Sequence, residues 1–250
     1  MNTFKQPAGG FTLVELAMSL LVIGLLMGTL ILPVTGQLNA RAISETEKTM
    51  DNIKEALIGY AVMNSKLPCP AAVVSNPAAN DFGTSQSILC GQEGFLPWAE
   101  LGIGKVTDAW GFPIRYRVDS NYTVANTATG LPLDLKTTDK INVTHDYVLP
   151  PTYQPVNKPL VSSEADNSSK IIVVLLSYGN DQTPNGTQEQ QKNGTTPYEN
   201  ADGNAIYVLN DNVKGGDADK NFDDIVMWLP KTTLLARLAA ANRYNYSTSP

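Results

Sequence analysis

Apolar positions dominate the first part of the chain. Between Leu16 and Leu38 no residue is charged, and between Phe11 and Leu38 the only charge is Glu15. A helix needs about 20 apolar residues to cross a bilayer core, so the pattern predicts a membrane-spanning helix over 11–38. A secretory signal has a shorter apolar region followed by a small-residue cleavage site. No convincing A-x-A site follows this run, which favours a retained anchor. An ordinary signal anchor also fits the run, but it gives no role to Gly10 or Glu15. Beyond the run, Ala42, Met50, Ile53, Leu57 and Tyr60 recur at the spacing of one helix face. Glu45, Glu47, Lys48, Asp51 and Glu55 occupy the other side. This predicts an amphipathic continuation over 39–64, stopped near Ser65 because Pro68 and Pro70 follow. A single helix from Phe11 to Asn64 would be roughly 80 Å long, loosened or kinked at Pro33 and Gly36.

From residue 65 the pattern is that of strands and loops. Residues 112–119 alternate like a half-buried strand, and 141–149 do so more weakly. Lys170 to Tyr178 is short, β-branched and almost wholly apolar, as in a strand covered on both faces. Residues 204–210 and 224–229 are further strand candidates. Thr232 to Arg243 predicts a closing helix with Leu234, Leu235, Leu238 and Ala241 on one side. The expected fold class is α+β: a long N-terminal membrane-spanning helix packed on an antiparallel β-sheet head. Residues 120–140 and 179–204, rich in Asn, Thr, Asp, Gly and Gln, fit no element. Loops this long in a compact domain are functional or disordered.

Composition narrows the function. The 250 residues carry a net charge of −6, which disfavours binding to a phosphate backbone. Nucleic acid is therefore not an expected partner. Arg115 and Arg117 alternate with aromatic residues, but the simpler reading is the polar face of a strand. Catalysis finds little support. The single histidine, His145, precedes Asp146 in a candidate strand, where adjacent side chains face opposite ways. No nucleophile elbow, metal-binding helix or phosphate loop occurs, so no enzyme activity is expected.

The most specific motif is Gly9-Gly10-Phe11-Thr12-Leu13-Val14-Glu15-Leu16. A polar leader ends in glycine, a phenylalanine follows, and a carboxylate comes four residues later inside an apolar run. This resembles the processing site of type IV prepilins and of the pseudopilins of type II secretion. The resemblance covers residues 1 to about 45. It implies cleavage by a prepilin peptidase after Gly10, N-methylation of the new terminus Phe11, and a role for Glu15 in assembly. An intramembrane carboxylate is costly and is by default functional. In the family the equivalent glutamate meets the terminal amine of a neighbouring subunit. The resemblance places the leader in the cytoplasm and the bulk of the chain outside.

Cys69 and Cys90 are the only cysteines. In an exported chain two cysteines suggest a disulfide; two separate buried thiols are the other reading. Closing a loop of about 20 residues would contribute roughly 3 kcal/mol. A zinc site is not expected, because only His145 could join them and four ligands are needed. Asp217, Asp219, Asn221 and Asp223 fall at alternate positions, a pattern that suits oxygen coordination of Ca²⁺. The EF-hand pattern is not met: Phe222 stands where its glycine belongs. The segment resembles the acidic calcium loop of major pseudopilins, and Ser177-Tyr178-Gly179-Asn180-Asp181 resembles the turn that precedes that loop. A solvated acidic turn explains the same residues equally well. Calcium is thus the one cofactor candidate. Asp108-Ala109-Trp110-Gly111-Phe112-Pro113 resembles a pseudopilin segment that leads into the first strand, and its reading is structural.

Together these readings predict a leader over 1–10, a transmembrane helix over 11–38, its amphipathic continuation over 39–64, and an exported head over 65–250. The expected location is the bacterial inner membrane, single-pass with the head in the periplasm, and then a filament. The expected function is that of a structural subunit of a type IV pilus or type II pseudopilus. A mature length of 240 residues (250 − 10) fits a minor or tip-associated subunit. Its partners would be other pilin or pseudopilin subunits, the prepilin peptidase and an inner-membrane assembly platform. The alternative is a minor pilin whose head loops, 179–204 above all, bind a surface, DNA or an exported substrate.

Overall fold

The computed structural model describes residues 10, 12–73, 83–124, 131–132, 141–145, 158–159, 171–182, 203, 205–209 and 223–245. Side chains at 27–36, 131–132, 142, 144–145, 158–159 and 244–245 lie outside that description. The chain divides into two compact units, Met1–Ala42 and Ile43–Pro250.

Helix α1 spans Leu13–Asn64. It stops where Ser65 adopts a left-handed φ of 54°, just before Pro68 and Pro70 would prevent its continuation. In the first unit its apolar residues Leu13, Val14, Leu16, Met18, Leu20 and Leu21 are all at least half exposed. In the second unit Met50, Ile53, Leu57, Ile58 and Ala61 are buried, which is the face that the 3,4 spacing marks out.

The expected membrane-spanning helix is overturned. Among the described residues no helix is long and apolar enough to cross a membrane. From Arg41 onward the helix carries Glu45, Glu47, Lys48 and Asp51, many of them exposed. The single-pass inner-membrane location rested on the same run and falls with it. Pro33 and Gly36, where a kink was expected, lie in the stretch whose side chains are outside the description.

The second unit is built around a four-stranded sheet of order β1-β2-β6-β8, formed by Glu93–Phe95, Arg115–Val118, Ile171–Ser177 and Ile225–Pro230. All its pairings are antiparallel. Alternation sorts the side chains onto two faces. Tyr116, Val118, Val173, Leu175, Ile225 and Leu229 join the buried face of α1, together with Leu234 and Leu238 of α2 (Lys231–Ala240). Val174, Leu176 and Val226 face the other way, in a second core with Ile141, Val143 and Tyr207. Val143 and Tyr207 of that core come from a three-stranded sheet of order β5-β4-β7, made by Lys158–Pro159, Asn142–His145 and Ile206–Leu209.

Strand β6 is buried along its whole length because it is covered on both sides. This explains its unbroken apolar sequence. The head is not purely antiparallel, as had been expected: β4 and β7 run parallel, and so do β3 (Leu131–Pro132) and β9 (Tyr244–Asn245). Hydrophobic alternation marks which face a residue takes but not the direction of its neighbour, so the sequence carries no signal for this.

Candidate functional site

At the amino end, Gly10 is exposed, and a side chain there would have open space around it. Phe11 lies outside the described residues. Thr12 caps α1. Its backbone N–H and its hydroxyl both donate to Glu15 Oε2, at 3.0 and 2.9 Å, and the Glu15 N–H donates to Thr12 Oγ1 at 3.3 Å. This is the reciprocal capping box of a Thr-x-x-Glu sequence, and it satisfies two N–H groups that a helix start leaves unpaired. The backbone hydrogen bond from Thr12, and then the hydroxyl bond, hold the Glu15 carboxyl below its ordinary range. The sequence reading gave Glu15 a role only in assembly. The Thr-x-x-Glu spacing was the available signal for its part in the cap.

In the second unit, three of the segments singled out in the sequence converge. Asp108 is buried. Its Oδ1 accepts from the N–H groups of Trp110 and Phe112, at 3.0 and 2.8 Å. Its Oδ2 accepts from the Ser177 hydroxyl at 2.7 Å. Ser177 Oγ in turn accepts from the Gly179 N–H at 3.2 Å. One turn on, the N–H groups of Asn180 and Asp181 donate to Asp223 Oδ2, at 2.8 and 3.1 Å. Gly179 has a φ of +66°, and a Cβ there would collide with the Asp223 backbone carbonyl. Glycine is thus required twice over, by the left-handed backbone and by the close approach.

Thr46 completes the junction. It falls on the buried stripe of α1, fully buried despite being polar, and its hydroxyl accepts from the Ala109 N–H at 3.1 Å. The sequence reading passed over Thr46, although its position between Ala42 and Met50 continues the apolar period. A polar residue on a core face must find a partner, and that was the usable signal.

The structure therefore brings the Ser177–Asp181 turn against Asp223. Asp217, Asp219 and Asn221 lie outside the described residues. Among the described residues no group of three or more acidic, histidine or cysteine side chains is placed to hold a metal ion. Burial raises the Asp223 carboxyl above the ordinary aspartate range, against the opposing effect of the two backbone donors.

Cys69 and Cys90 form a disulfide, with their Cα atoms 4.8 Å apart. Arg115 and Arg117 do not lie on a bare polar face. Arg115 pairs with Glu93 Oε1 at 2.9 Å and lies over the ring of Tyr178, 4.6 Å from its centroid, and 5.5 Å from that of Phe95. Glu93 Oε2 also accepts from the Tyr207 hydroxyl at 3.0 Å, which ties β7 to β1. Burial, with the Glu93 charge next, pushes the hydroxyls of Tyr178 and Tyr207 upward. Arg117 is buried and donates to the Gly203 carbonyl at 3.1 Å. His145 lies in β4.

Comparison of the chain with protein-family models, with curated proteins and with solved structures finds no match.

Proposed function

We propose that this chain is a structural subunit of a filament of the type IV pilin or type II pseudopilin kind, freed of its leader by cleavage after Gly10. The observation that carries the reading is the placing of Gly10 directly before the capped start of α1. Gly10 is exposed and uncrowded, as a peptidase substrate must be, and Glu15 stands in the first helical turn. The exposed apolar residues of α1 between Leu13 and Leu26 support it further. An apolar patch of that extent marks an interaction site, and packing against the same helix of other subunits would cover it. Among the described residues of the head, the polar clusters join elements of the fold to one another.

The reading is tested by intact mass and N-terminal sequencing of the protein purified from its native host. A chain that begins at Phe11, heavier by one methyl group, is the expected result. A chain that begins at Met1, in a host that processes other prepilins, overturns it.

A further inference from the structure

Strand β1 is the outer strand of the four-stranded sheet, yet its free side is covered by the chain's own backbone. The Ala71 N–H donates to the Phe95 carbonyl at 2.8 Å, and the Phe95 N–H donates back to the Ala71 carbonyl at 2.9 Å. On the far side of this added layer Ala71 bridges to Ser85, and the Gln86 N–H donates to the Pro70 carbonyl at 2.9 Å. The order outward from β1 is thus 70–71 and then 85–86.

The two layers are held very differently. Residues 67–71 are all buried, Leu67 N–H donates to the Tyr122 carbonyl at 2.7 Å, and the Tyr116 hydroxyl donates to the Pro68 carbonyl at 2.9 Å. Residues 85–92 include no buried side chain, and Ile88 is 80% exposed. Both ends of that outer piece are nonetheless fixed. Gly83 is pressed against the Trp98 indole so closely that a Cβ would collide with it, and its carbonyl accepts from the Ala99 N–H at 3.1 Å. Glu93 is ion-paired with Arg115. Between these ends, one covalent tie reaches the buried layer, from Cys90 to Cys69.

We infer that residues 85–92 form a redox-releasable strap, latched by the Cys69–Cys90 bond over the 70–71 edge of the sheet. Reduction frees the strap and leaves the sheet folded. With a dithiol reductant the chemistry balances. The S–S bond breaks, two electrons and two protons give the Cys69 and Cys90 thiols, and the reductant closes to its own disulfide. Freed, the strap gains the chain entropy that the latch removes, and little side-chain burial opposes its release. The Pro70 carbonyl, which accepts from Gln86 in the latched state, then becomes open to solvent.

The test is residue-resolved amide hydrogen exchange on the full chain, oxidised and in dithiothreitol. The reporters are the N–H groups of Gln86, Leu89 and Gln92, which donate within the strap or to Pro70. Their exchange is expected to quicken about a hundredfold on reduction, the scale of closing a loop of this size. Leu67, Ala71, Phe95 and the β6 amides should change far less. Two results overturn the inference: strap amides that do not respond, or strap and β6 amides that quicken by the same factor, which would mean that the bond supports the whole fold. The double variant Cys69→Ser/Cys90→Ser, without reductant, should reproduce the reduced pattern. If that variant does not fold, reduction of the folded wild-type chain still decides.

Discussion

The Ser177 hydroxyl donates to Asp108 Oδ2 at 2.7 Å, joining two buried side chains 69 residues apart. Asp108 shapes the turn that enters β2, and Ser177 ends β6. Through Ala109 and Thr46 the same turn is fixed to α1. The bond therefore locks helix, turn and central strand in one arrangement, at the point from which the Asp223 contact departs.

Asp108→Ala should be the most damaging single change at this junction. It strands the Trp110 and Phe112 N–H groups and the Ser177 hydroxyl in a buried place. Each unsatisfied group costs about 1–3 kcal/mol, so a loss of at least about 3 kcal/mol is expected, read as a lower urea midpoint. Asp108→Asn keeps one acceptor oxygen and should lose less. Equal losses for the two variants would show that packing, not hydrogen bonding, sets the effect.

Gly179→Ala should destabilise the head and detach Asp223. A left-handed backbone costs a non-glycine residue about 1–3 kcal/mol, and the new methyl would also collide with Asp223. A drop in melting temperature, with faster exchange at the Asn180 and Asp181 amides, is the expected outcome. An unchanged melting temperature would mean that the turn relaxes freely.

Asp223 gives a pH dependence of definite sign. Its folded carboxyl is raised by burial, with the nearby Asp181 charge adding to the rise. The folded state therefore holds the proton more tightly than the unfolded chain. This contribution to stability is complete below the unfolded aspartate pKa and is lost as pH rises through the raised folded value. Relative to Asp223→Asn, wild-type stability should fall across that window, measured as the difference in urea midpoints between about pH 3.5 and 7. A difference that grows in favour of wild type as pH rises would reverse the assignment.

Thr12 and Glu15 separate a cap from an assembly contact. Thr12→Ala removes the cap acceptor and should quicken amide exchange in the first turn of α1, because N-cap threonine supplies a partner the helix otherwise lacks. Glu15→Gln keeps an oxygen that can accept from Thr12 but has no charge. If filament incorporation needs an ion pair, Glu15→Gln should block incorporation while the first turn stays protected. Normal incorporation of Glu15→Gln would remove the charge from the assembly reading.

Much of the head was readable because its signals are local. Period-two alternation located β2, and the apolar run located β6. The 3,4 spacing placed Met50, Ile53 and Leu57 on a buried face, and Pro68 and Pro70 marked where α1 ends. The cysteine pair proved to be bonded. The membrane reading took a count of uncharged positions as enough, but among the described residues no helix is long and apolar enough to cross a membrane. Asp108 and Ser177 were each noticed in their own segments, but no spacing rule links residues so far apart.

What the sequence determined by itself was therefore the end of α1, the positions of β2, β4, β6, β7, β8 and α2, the inward face of α1, and the Gly10–Glu15 motif, since each depends on neighbours within a few positions; the short strands β1, β3, β5 and β9 carried no such signal. Tertiary structure alone decided that β4 and β7 run parallel and that a second sheet closes over β6. It also decided that Arg115 is stacked rather than solvated and that Thr46, Asp108, Ser177, Gly179 and Asp223 meet. Those outcomes depend on buried polar groups finding partners across long stretches of chain. The energy that selects them arises only once the intervening residues have folded and excluded water.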